Sequence, residues 1–428
     1  MRTLAVRGLA RASAPGVSLL VSFVLGGVLL LGGPAAADEG HINFVQMTVQ
    51  RCAESGACEW KLSCGPQGQE TELFAGKEAK TKYSVQIGKH MDVKKFPVTI
   101  QCTVWEDDGF FGASWEKAGS GTVMLPSGGD YRLDIGNKEQ GMVRVRIVAD
   151  SVEVGIAPPP AAAPAPAPVA AKPGRRPAKP PAAPRFVAAF IPQMEGQALL
   201  IGMEWDRFKA RMNELSNNGL QIFAFSSFEY GGKRLWNGVF RPSQEEMVLL
   251  VDMDFQKFAD VYKRVTGGNK RLIDLEVYDS GKKWAGLYRD LGESHNLWVG
   301  QSRKDFLEKV KDLASAKGQQ LLDVEVYKAG GPLLYAGPFL QRLEATELWT
   351  GLDQAAFQNK WNGLKGKDWQ VVSVTSYQDG DKRLFDAIAR AGDRGDISVG
   401  LELTPFLTRW EELADKGMRL ISLDVYQE

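Results

Sequence analysis

Acidic side chains recur at corresponding places in the second half of this 428-residue chain. Asp274 and Glu276 lie two residues apart in one alternating segment, and Asp323 and Glu325 do so in another. Asp424 repeats the same position once more. Residues two apart on a strand face the same side. The pattern therefore predicts either a carboxylate surface for binding or acid–base work, or an ordinary solvent-facing strand surface.

Aromatic side chains recur in step with these acids, on the second strand of each predicted hairpin. Aromatic and acidic groups presented several times suit the binding of an extended peptide, a glycan or a protein partner. Aromatics at regular spacing are equally typical of a hydrophobic core. The predicted binding residues are Asp274, Glu276, Asp323, Glu325, Asp424, Trp236, Trp284 and Tyr335.

The familiar catalytic motifs are missing from the sequence, which has no G-x-S-x-G, H-E-x-x-H or phosphate-binding loop. The S-x-x-K at Ser280 to Lys283 falls in a predicted hairpin turn, whereas a nucleophile of that class needs a helix start in a pocket. We therefore predict no catalytic residue, and a non-catalytic binding or scaffold protein. A hydrolase with an unrecognised site is the alternative.

Charge and the N-terminus indicate an exported protein without a nucleic-acid partner. Lys+Arg and Asp+Glu number 52 each, so no global field attracts nucleic acid or an anionic membrane. Arg2, Arg7 and Arg11 precede an apolar run over 17–33, and an Ala-x-Ala box formed by Ala35 and Ala37 follows the run. This layout predicts a cleaved signal peptide over 1–37 and a secreted or periplasmic bacterial protein. An uncleaved anchor is the alternative, because the run approaches the roughly 20 residues that a bilayer requires.

Four cysteines cluster downstream of this segment: Cys52, Cys58, Cys64 and Cys102. An even count in an exported chain predicts two disulfides, for which three pairings are possible. We expect Cys52 to pair with Cys58 across a turn, and Cys64 to pair with Cys102 between two strands. A metal site is disfavoured because no C-x2-C pair is present and the three histidines do not cluster.

Residues 38–156 alternate apolar and polar residues between Gly, Asp and Ser turns, which predicts a disulfide-bonded β-sandwich. The run "FPVTIQCTVWEDDGFFG" resembles a C2-type sandwich, in which a strand ends in a tryptophan and an acidic loop. The resemblance implies calcium binding by Glu106, Asp107 and Asp108, and with it calcium-dependent lipid binding. A solvated acidic turn is the alternative, because no second acidic loop accompanies it. No other cofactor is predicted.

Residues 157–184 are rich in proline and alanine and predict an extended, polyproline-like linker. The remaining segment, 185–428, is a tandem repeat of 48 to 50 residues with two markers in step. The tyrosine marker is Tyr230, Tyr278, Tyr327, Tyr377 and Tyr426, and the phenylalanine marker is Phe208, Phe258, Phe306, Phe357 and Phe406. Each unit reads as β-α-β-β, so the fold class is multi-domain: an all-β sandwich followed by five α+β units.

The fifth unit stops after its first hairpin strand, which would leave an open sheet edge. The segment before the first unit, "RFVAAFIPQ", matches the missing strand. We therefore predict that 186–191 pairs with 420–426 and closes the five units into a ring, with an open solenoid as the alternative. The units over 195–428 resemble the bacterial tandem repeat of polyglycine-hydrolase-like proteins, most clearly in "LWTGLDQAAFQNKWNGLKGKDWQVVSVTSYQDGDKRLFDAIA". The resemblance is what motivates the hydrolase alternative.

Overall fold

The computed structural model describes residues 39–51, 58–79, 84–107, 115–137, 141–155, 181–364 and 366–428. The predicted signal peptide, most of the predicted linker, Cys52 and Asp108 lie outside the described residues. The predicted pairing of Cys52 with Cys58 therefore stays a prediction. No helix in the described ranges is both long and apolar enough to cross a bilayer.

The first eight strands alternate buried and exposed residues and pack as two antiparallel sheets. Their bounds are β1 Glu39–Arg51, β2 Cys58–Pro66, β3 Thr71–Ala79, β4 Ser84–Val93, β5 Val98–Asp107, β6 Trp115–Leu125, β7 Gly129–Asn137 and β8 Gly141–Val154. One sheet contains β4, β1, β8 and β7, and the other contains β3, β2, β5 and β6. Phe44, Trp60 and Ile100 are fully buried between them. A disulfide joins Cys64 of β2 to Cys102 of β5, which confirms that predicted pairing.

The rest of the described chain consists of five units that each combine one helix with antiparallel strands. The third unit has four strands, and the strands of the first unit continue a sheet of the sandwich. The strands are β9 Arg185–Pro192, β10 Ala198–Met203, β11 Leu220–Tyr230, β12 Lys233–Pro242, β13 Val248–Met253, β14 Lys270–Tyr278, β15 Lys283–Asp290, β16 His295–Gln301, β17 Gln319–Leu321, β18 Glu325–Lys328, β19 Leu333–Gln341, β20 Thr346–Leu352, β21 Trp369–Asp379, β22 Lys382–Ala391, β23 Asp396–Leu401 and β24 Met418–Tyr426. The helices are α1 Trp205–Asn217, α2 Phe255–Thr266, α3 Arg303–Lys317, α4 Gln354–Asn362 and α5 Leu403–Asp415. This order confirms the predicted β-α-β-β unit.

Strand β9 supplies the middle strand of the fifth sheet, although it precedes the first unit in the chain. The strand order of this sheet is β23-β9-β24. Phe190 pairs with Leu420 and Phe186 pairs with Val425, in antiparallel register. The predicted pairing of 186–191 with 420–426 is thus confirmed. This strand therefore places the start of the repeat region within its last unit.

A phenylalanine near the start of each helix anchors that helix on its own sheet. All five marker phenylalanines have no exposed surface: Phe208, Phe258, Phe306, Phe357 and Phe406. In the first unit, a side chain at Gly238 would collide with the ring of Phe208, so the strand must have glycine there for the helix to approach. Burying an aromatic ring of this size stabilises the fold by about 2–3 kcal/mol.

We expect the N-cap residues of α2 and α4 to contribute measurably to stability. Asp254 accepts a hydrogen bond from the N–H of Lys257 and Asp353 accepts one from Ala356, both at 2.8 Å. Replacing either aspartate with alanine should lower the free energy of unfolding by about 1 kcal/mol, because an N–H of the first turn loses its partner. Glu402→Ala at the start of α5 is the control, since Glu402 makes no such bond. Equal losses in urea unfolding of all three variants would contradict the prediction.

Cross-strand register corrects one of the repeat markers. In the second hairpin Trp284 lies opposite Val277, and the next residue is Tyr278. In the first hairpin Trp236 lies opposite Ser227, and the next residue is Phe228 rather than Tyr230. The tyrosine marker of the first unit therefore lies two residues beyond the equivalent position, which Phe228 occupies. The β21–β22 hairpin has the same length, and there Tyr377 itself occupies that position. Phe228 is 4 % exposed and occupies the core place of the other tyrosines.

The hairpin aromatics join each unit to the next. The ring of Trp236 lies 5.5 Å from that of Tyr278, and the ring of Trp284 lies 5.3 Å from that of Tyr327. The Tyr335 hydroxyl lies 3.5 Å from a hydroxyl of the following unit. Trp236, Trp284 and Tyr335 are at most 3 % exposed. The structure thus places these predicted binding residues in the cores between units.

The sandwich contacts the first unit through a continuous sheet. Strand β8 pairs in parallel with β10, with Ser151 opposite Ala198. Glu153 accepts hydrogen bonds from Arg207 at 2.6 Å and from Arg211 at 2.5 Å, both on α1. These charge-assisted bonds tie the end of the sandwich to the first helix.

Candidate functional site

A cavity of about 200 Å³ lies among the five first hairpin strands. These strands contact one another in sequence, β11 with β14, β14 with β18, β18 with β21 and β21 with β24, and β24 also contacts β11. Every one of the five units contributes lining residues, including Ala224, Asp274, Asp323, Ser373 and Asp424. We call this space the five-strand cavity.

Strand register arranges the polar lining of the cavity in two levels. Equivalent register positions place Ala224, Asp274, Ser373 and Ser422 in the first level, and Asp323, two residues before Glu325, belongs with them. Two residues further along, the second level contains Ser226, Glu276, Glu325, Thr375 and Asp424. Side chains two apart face the same side of a strand, and all of these residues except Thr375 line the cavity. All five predicted acids are brought together here, so they do not form an open solvent-facing strand surface.

Most of these acids bridge one unit to the next. Asp274 accepts a hydrogen bond from the N–H of Phe225 at 2.9 Å, and Asp323 accepts one from the N–H of Leu275 at 2.8 Å. Asp424 accepts one from the N–H of Ser376 at 2.6 Å. The carboxylates thereby satisfy backbone donors of the neighbouring strands, which would otherwise be buried without partners.

Crowding and burial shift the protonation of the acids. Burial raises the pKa of Glu276 to about 8, and the charge of Asp424 adds to this shift. Burial also raises the pKa of Glu325 well above its ordinary value, with the charge of Glu276 as the next cause. Like charges this close cannot all ionise at neutral pH, so the cluster shares protons.

Glu325 differs from the other acids because its carboxylate has no partner. No hydrogen bond or ion pair within the described residues reaches it, whereas Glu276 accepts a bond from the Ser227 hydroxyl at 2.8 Å. It is partly buried and lines the five-strand cavity. Because no described protein group holds its oxygens, Glu325 is the acid most available to a ligand.

Arginines line the other end of the five-strand cavity: Arg289, Arg342 and Arg390. Arg289 pairs with Glu245, and Arg342 has only a 3.9 Å contact with Glu344. Arg390 has no hydrogen bond or ion pair in the described part of the chain, and burial together with the charge of Arg342 lowers its pKa to about 10. The charge of Glu344 acts on both Arg342 and Arg390 and offsets them in part. Two neighbouring guanidinium groups of this kind still form a site suited to an anion.

A second opening adjoins the acids from the hairpin side. Its volume is about 430 Å³, and it shares Glu276, Glu325 and Asp424 with the five-strand cavity. Arg234 lies 4.9 Å from the ring of Tyr278 and Arg383 lies 4.8 Å from the ring of the last tyrosine. The acids therefore lie between two spaces, each bordered by arginines.

Sequence reasoning missed the arginines. Arg241, Arg289 and Arg390 occupy equivalent register positions near the end of the second hairpin strand in three units. That recurrence is visible in the sequence and could have indicated a basic end to the cavity. Whether these side chains face the cavity depends on how the sheets pack, which the sequence does not show.

The acidic segment of the sandwich has a different environment from the one predicted. Glu106 and Asp107 belong to strand β5, and Glu106 is 4 % exposed. The side chain of Asp107 and all of Asp108 lie outside the described residues. Within the described residues, no group of three or more His, Cys, Asp or Glu has a geometry suited to a metal ion. Calcium binding by Glu106, Asp107 and Asp108 stays a prediction.

Comparison with solved structures finds C2-like neighbours. An isolated C2 domain matches with 11% identity and a TM-score of 0.21, over 26% of this chain and 97% of that chain. A C2 domain of plant Extended Synaptotagmin 1 matches with 13% identity and a TM-score of 0.20, over 27% and 96%. Human GIVD cytosolic phospholipase A2 matches with 7% identity and a TM-score of 0.20, over 77% and 36%.

Comparison of sequences gives a match at the C-terminal end. No curated protein matches the chain. Residues 345–388 and 398–428 match the family model of the polyglycine hydrolase-like structural repeat. The first of these segments runs from β20 into β22, and the second runs from β23 to the end of β24. The fourth and fifth units of this chain are therefore similar to the polyglycine hydrolase-like structural repeat.

Proposed function

We propose that the protein is an exported, non-catalytic binding module whose ligand occupies the five-strand cavity. The observation that carries this proposal is the pair Glu325 and Arg390, which face one cavity without a hydrogen bond or ion pair among the described residues. The Arg390 guanidinium, and the Glu325 carboxylate whenever it is ionised, cost folding free energy that a ligand of opposite charge would recover. Stable proteins retain such groups mainly where they have a functional role.

The proposal includes closure of the five units into a ring around this cavity. Its support is the chain of contacts from β11 through β24 and back to β11, together with the placement of β9 in the fifth sheet. In a closed array, every unit contributes equally to one shared surface. This accounts for lining residues that come from all five units.

The competing function is a hydrolase that uses the same acids. A shared-proton cluster such as Glu276, Glu325 and Asp424 contains both a proton donor and a proton acceptor, which acid–base hydrolysis requires. Against it, Glu276 and Asp424 are already engaged by Ser227 and Ser376 of neighbouring strands. A structural bond of this kind restricts the movement of a catalytic carboxylate.

Thermal unfolding of the full chain against a panel of short peptides, sugars, amines and calcium tests the proposal. We expect one class to raise the melting temperature of the native protein, by mass action on the folded state. Ala224→Phe, which fills the cavity wall, should abolish the increase, and Ala182→Phe at an exposed position should preserve it. Ligand recovered intact supports a binding module, whereas cleaved ligand favours the hydrolase. Equal increases in both variants would reject the cavity as the site.

A further inference from the structure

We infer that the five-strand cavity takes a short peptide of two or three residues with free ends. Its carboxylate would lie at Arg342 and Arg390, and its ammonium group would lie at Glu325. This inference rests on the proposed function and names the ligand class of the same site. It follows from the charges at the two ends of the cavity, their separation, and the volume and chemistry of the walls between them.

The two ends of the cavity have opposite charge, and each end has an unpaired group. Arg342 and Arg390 supply guanidinium groups at one end, with an unbonded Nε on each. Glu325 supplies a carboxyl group without a hydrogen-bond partner at the other end, and an ammonium group beside it would favour its ionised form. A guanidinium pair suits a carboxylate through parallel N–H···O bonds, and a carboxylate suits an ammonium group. A ligand with one charge of each sign would satisfy both ends.

Strand geometry sets the length of that ligand. Thr375, at the level of Glu325, pairs with Asp386, and Arg390 lies four residues further along the same strand. Four residues of strand span about 13 Å at roughly 3.3 Å per residue. The arginine side chain covers part of this distance. A single amino acid holds its charges within about one residue length, so it cannot reach both ends, whereas two or three extended residues span about 7–10 Å.

Volume and wall chemistry favour a slim ligand with an apolar side chain. A volume near 200 Å³ is modestly larger than the roughly 150 Å³ cavity that holds benzene, so it excludes a folded partner. Between the charged ends, Phe223, Ile273, Val372 and Ile421 line the cavity, along with hydroxyl groups such as that of Ser373. Apolar walls with a few fixed polar groups are typical of sites for small organic ligands.

Isothermal titration of the full chain with four peptides and one amino acid tests the inference. The probes are Ala-Leu-Ala, its N-acetylated form, its C-terminal amide, Gly-Leu and free leucine. We expect Ala-Leu-Ala and Gly-Leu to bind, and either cap to weaken binding by about tenfold or more, because each removes a charge-assisted contact. Free leucine should bind more weakly than both free-ended peptides.

Matched variants assign each ligand end to its protein group. Glu325→Gln should weaken binding of Ala-Leu-Ala and leave no further effect of N-acetylation. Arg390→Gln should also weaken binding of Ala-Leu-Ala, and C-terminal amidation should then have no further effect. This loss of sensitivity is a readout that a merely structural role would not produce. Glu308→Gln and Arg264→Gln, at exposed helix positions, are the controls and should bind as the native chain does.

The outcomes separate failure of this inference from failure of the proposed function. Capped and free peptides that bind equally, in a manner that Ala224→Phe blocks, would overturn the inference and leave the cavity as a binding site. The same conclusion would follow if no peptide bound while sugars, amines or calcium raised the melting temperature. If no probe of either experiment binds, both proposals fail. Melting curves of the Gln variants verify that they are folded.

Discussion

Replacing Ala188 with proline is expected to cause a large loss of stability in the repeat region. Ala188 lies in the middle of β9, where it is opposite Ser398 of β23 and Leu423 of β24. Proline cannot donate a ladder hydrogen bond and is found essentially only at sheet edges. We expect a loss of at least about 3 kcal/mol, which corresponds to roughly 6–12 °C in melting temperature for a domain of this size.

This loss should be large because β9 holds the two ends of the repeat region together. Phe186 and Phe190, on either side of Ala188, have no exposed surface and belong to the core around α5. Ala182→Pro is the matched control, since Ala182 is exposed in the irregular segment before β9. Circular dichroism melting of the full chain measures both variants. Equal melting temperatures would show that the fifth sheet does not depend on β9.

The second large effect is a decrease in stability between weakly acidic and alkaline pH. Burial raises the pKa of Glu276 from its ordinary 4.5 to about 8. Between pH 4.5 and about pH 8, Glu276 therefore keeps its proton in the folded protein and loses it in the unfolded chain. Stability is fully present below pH 4.5 and is lost as the pH rises through 8. By linkage the loss from Glu276 is on the order of 5 kcal/mol.

Glu276→Gln should remove this pH dependence in part. The variant is expected to be as stable as the native chain at about pH 4, where Glu276 is protonated in both states, and more stable at about pH 8.5, because the amide stays neutral and can still accept the bond from Ser227. The charged groups that act on Glu276 remain in place: Asp274, Glu325, Asp424 and Arg234. Glu229→Gln, at an exposed position of the neighbouring strand, is the control. A native protein equally stable at about pH 4 and pH 8.5, or a Gln variant less stable than the native chain at about pH 8.5, would contradict the prediction.

The repeat architecture could be predicted because its signals are local. The spacing of apolar residues within segments of about fifteen residues predicts both the helix anchors, such as Phe357, and the hairpin strands, such as β21. The pairing of β9 with β24 was also predictable, since "RFVAAFIPQ" matches the strand that the fifth unit lacks. The one displaced marker, Tyr230, arose because a tyrosine happens to follow the core position of the first unit by two residues, while Phe228 occupies that position. Register, unlike periodicity, depends on the partner strand.

Local sequence patterns were sufficient to predict the sandwich, the Cys64–Cys102 disulfide and five β-α-β-β units, because alternation, cysteine count and repeat period reflect local physical preferences. They also identified the five acids, but they placed Trp236, Trp284 and Tyr335 on the same predicted binding surface, whereas these aromatics are buried between units. The packing of the sheets established that the acids share a cavity, that Glu325 is unpaired and that Arg390 lies at the opposite end. These properties arise from contacts between residues about 50 or more apart, and no local pattern encodes the distance between sheets.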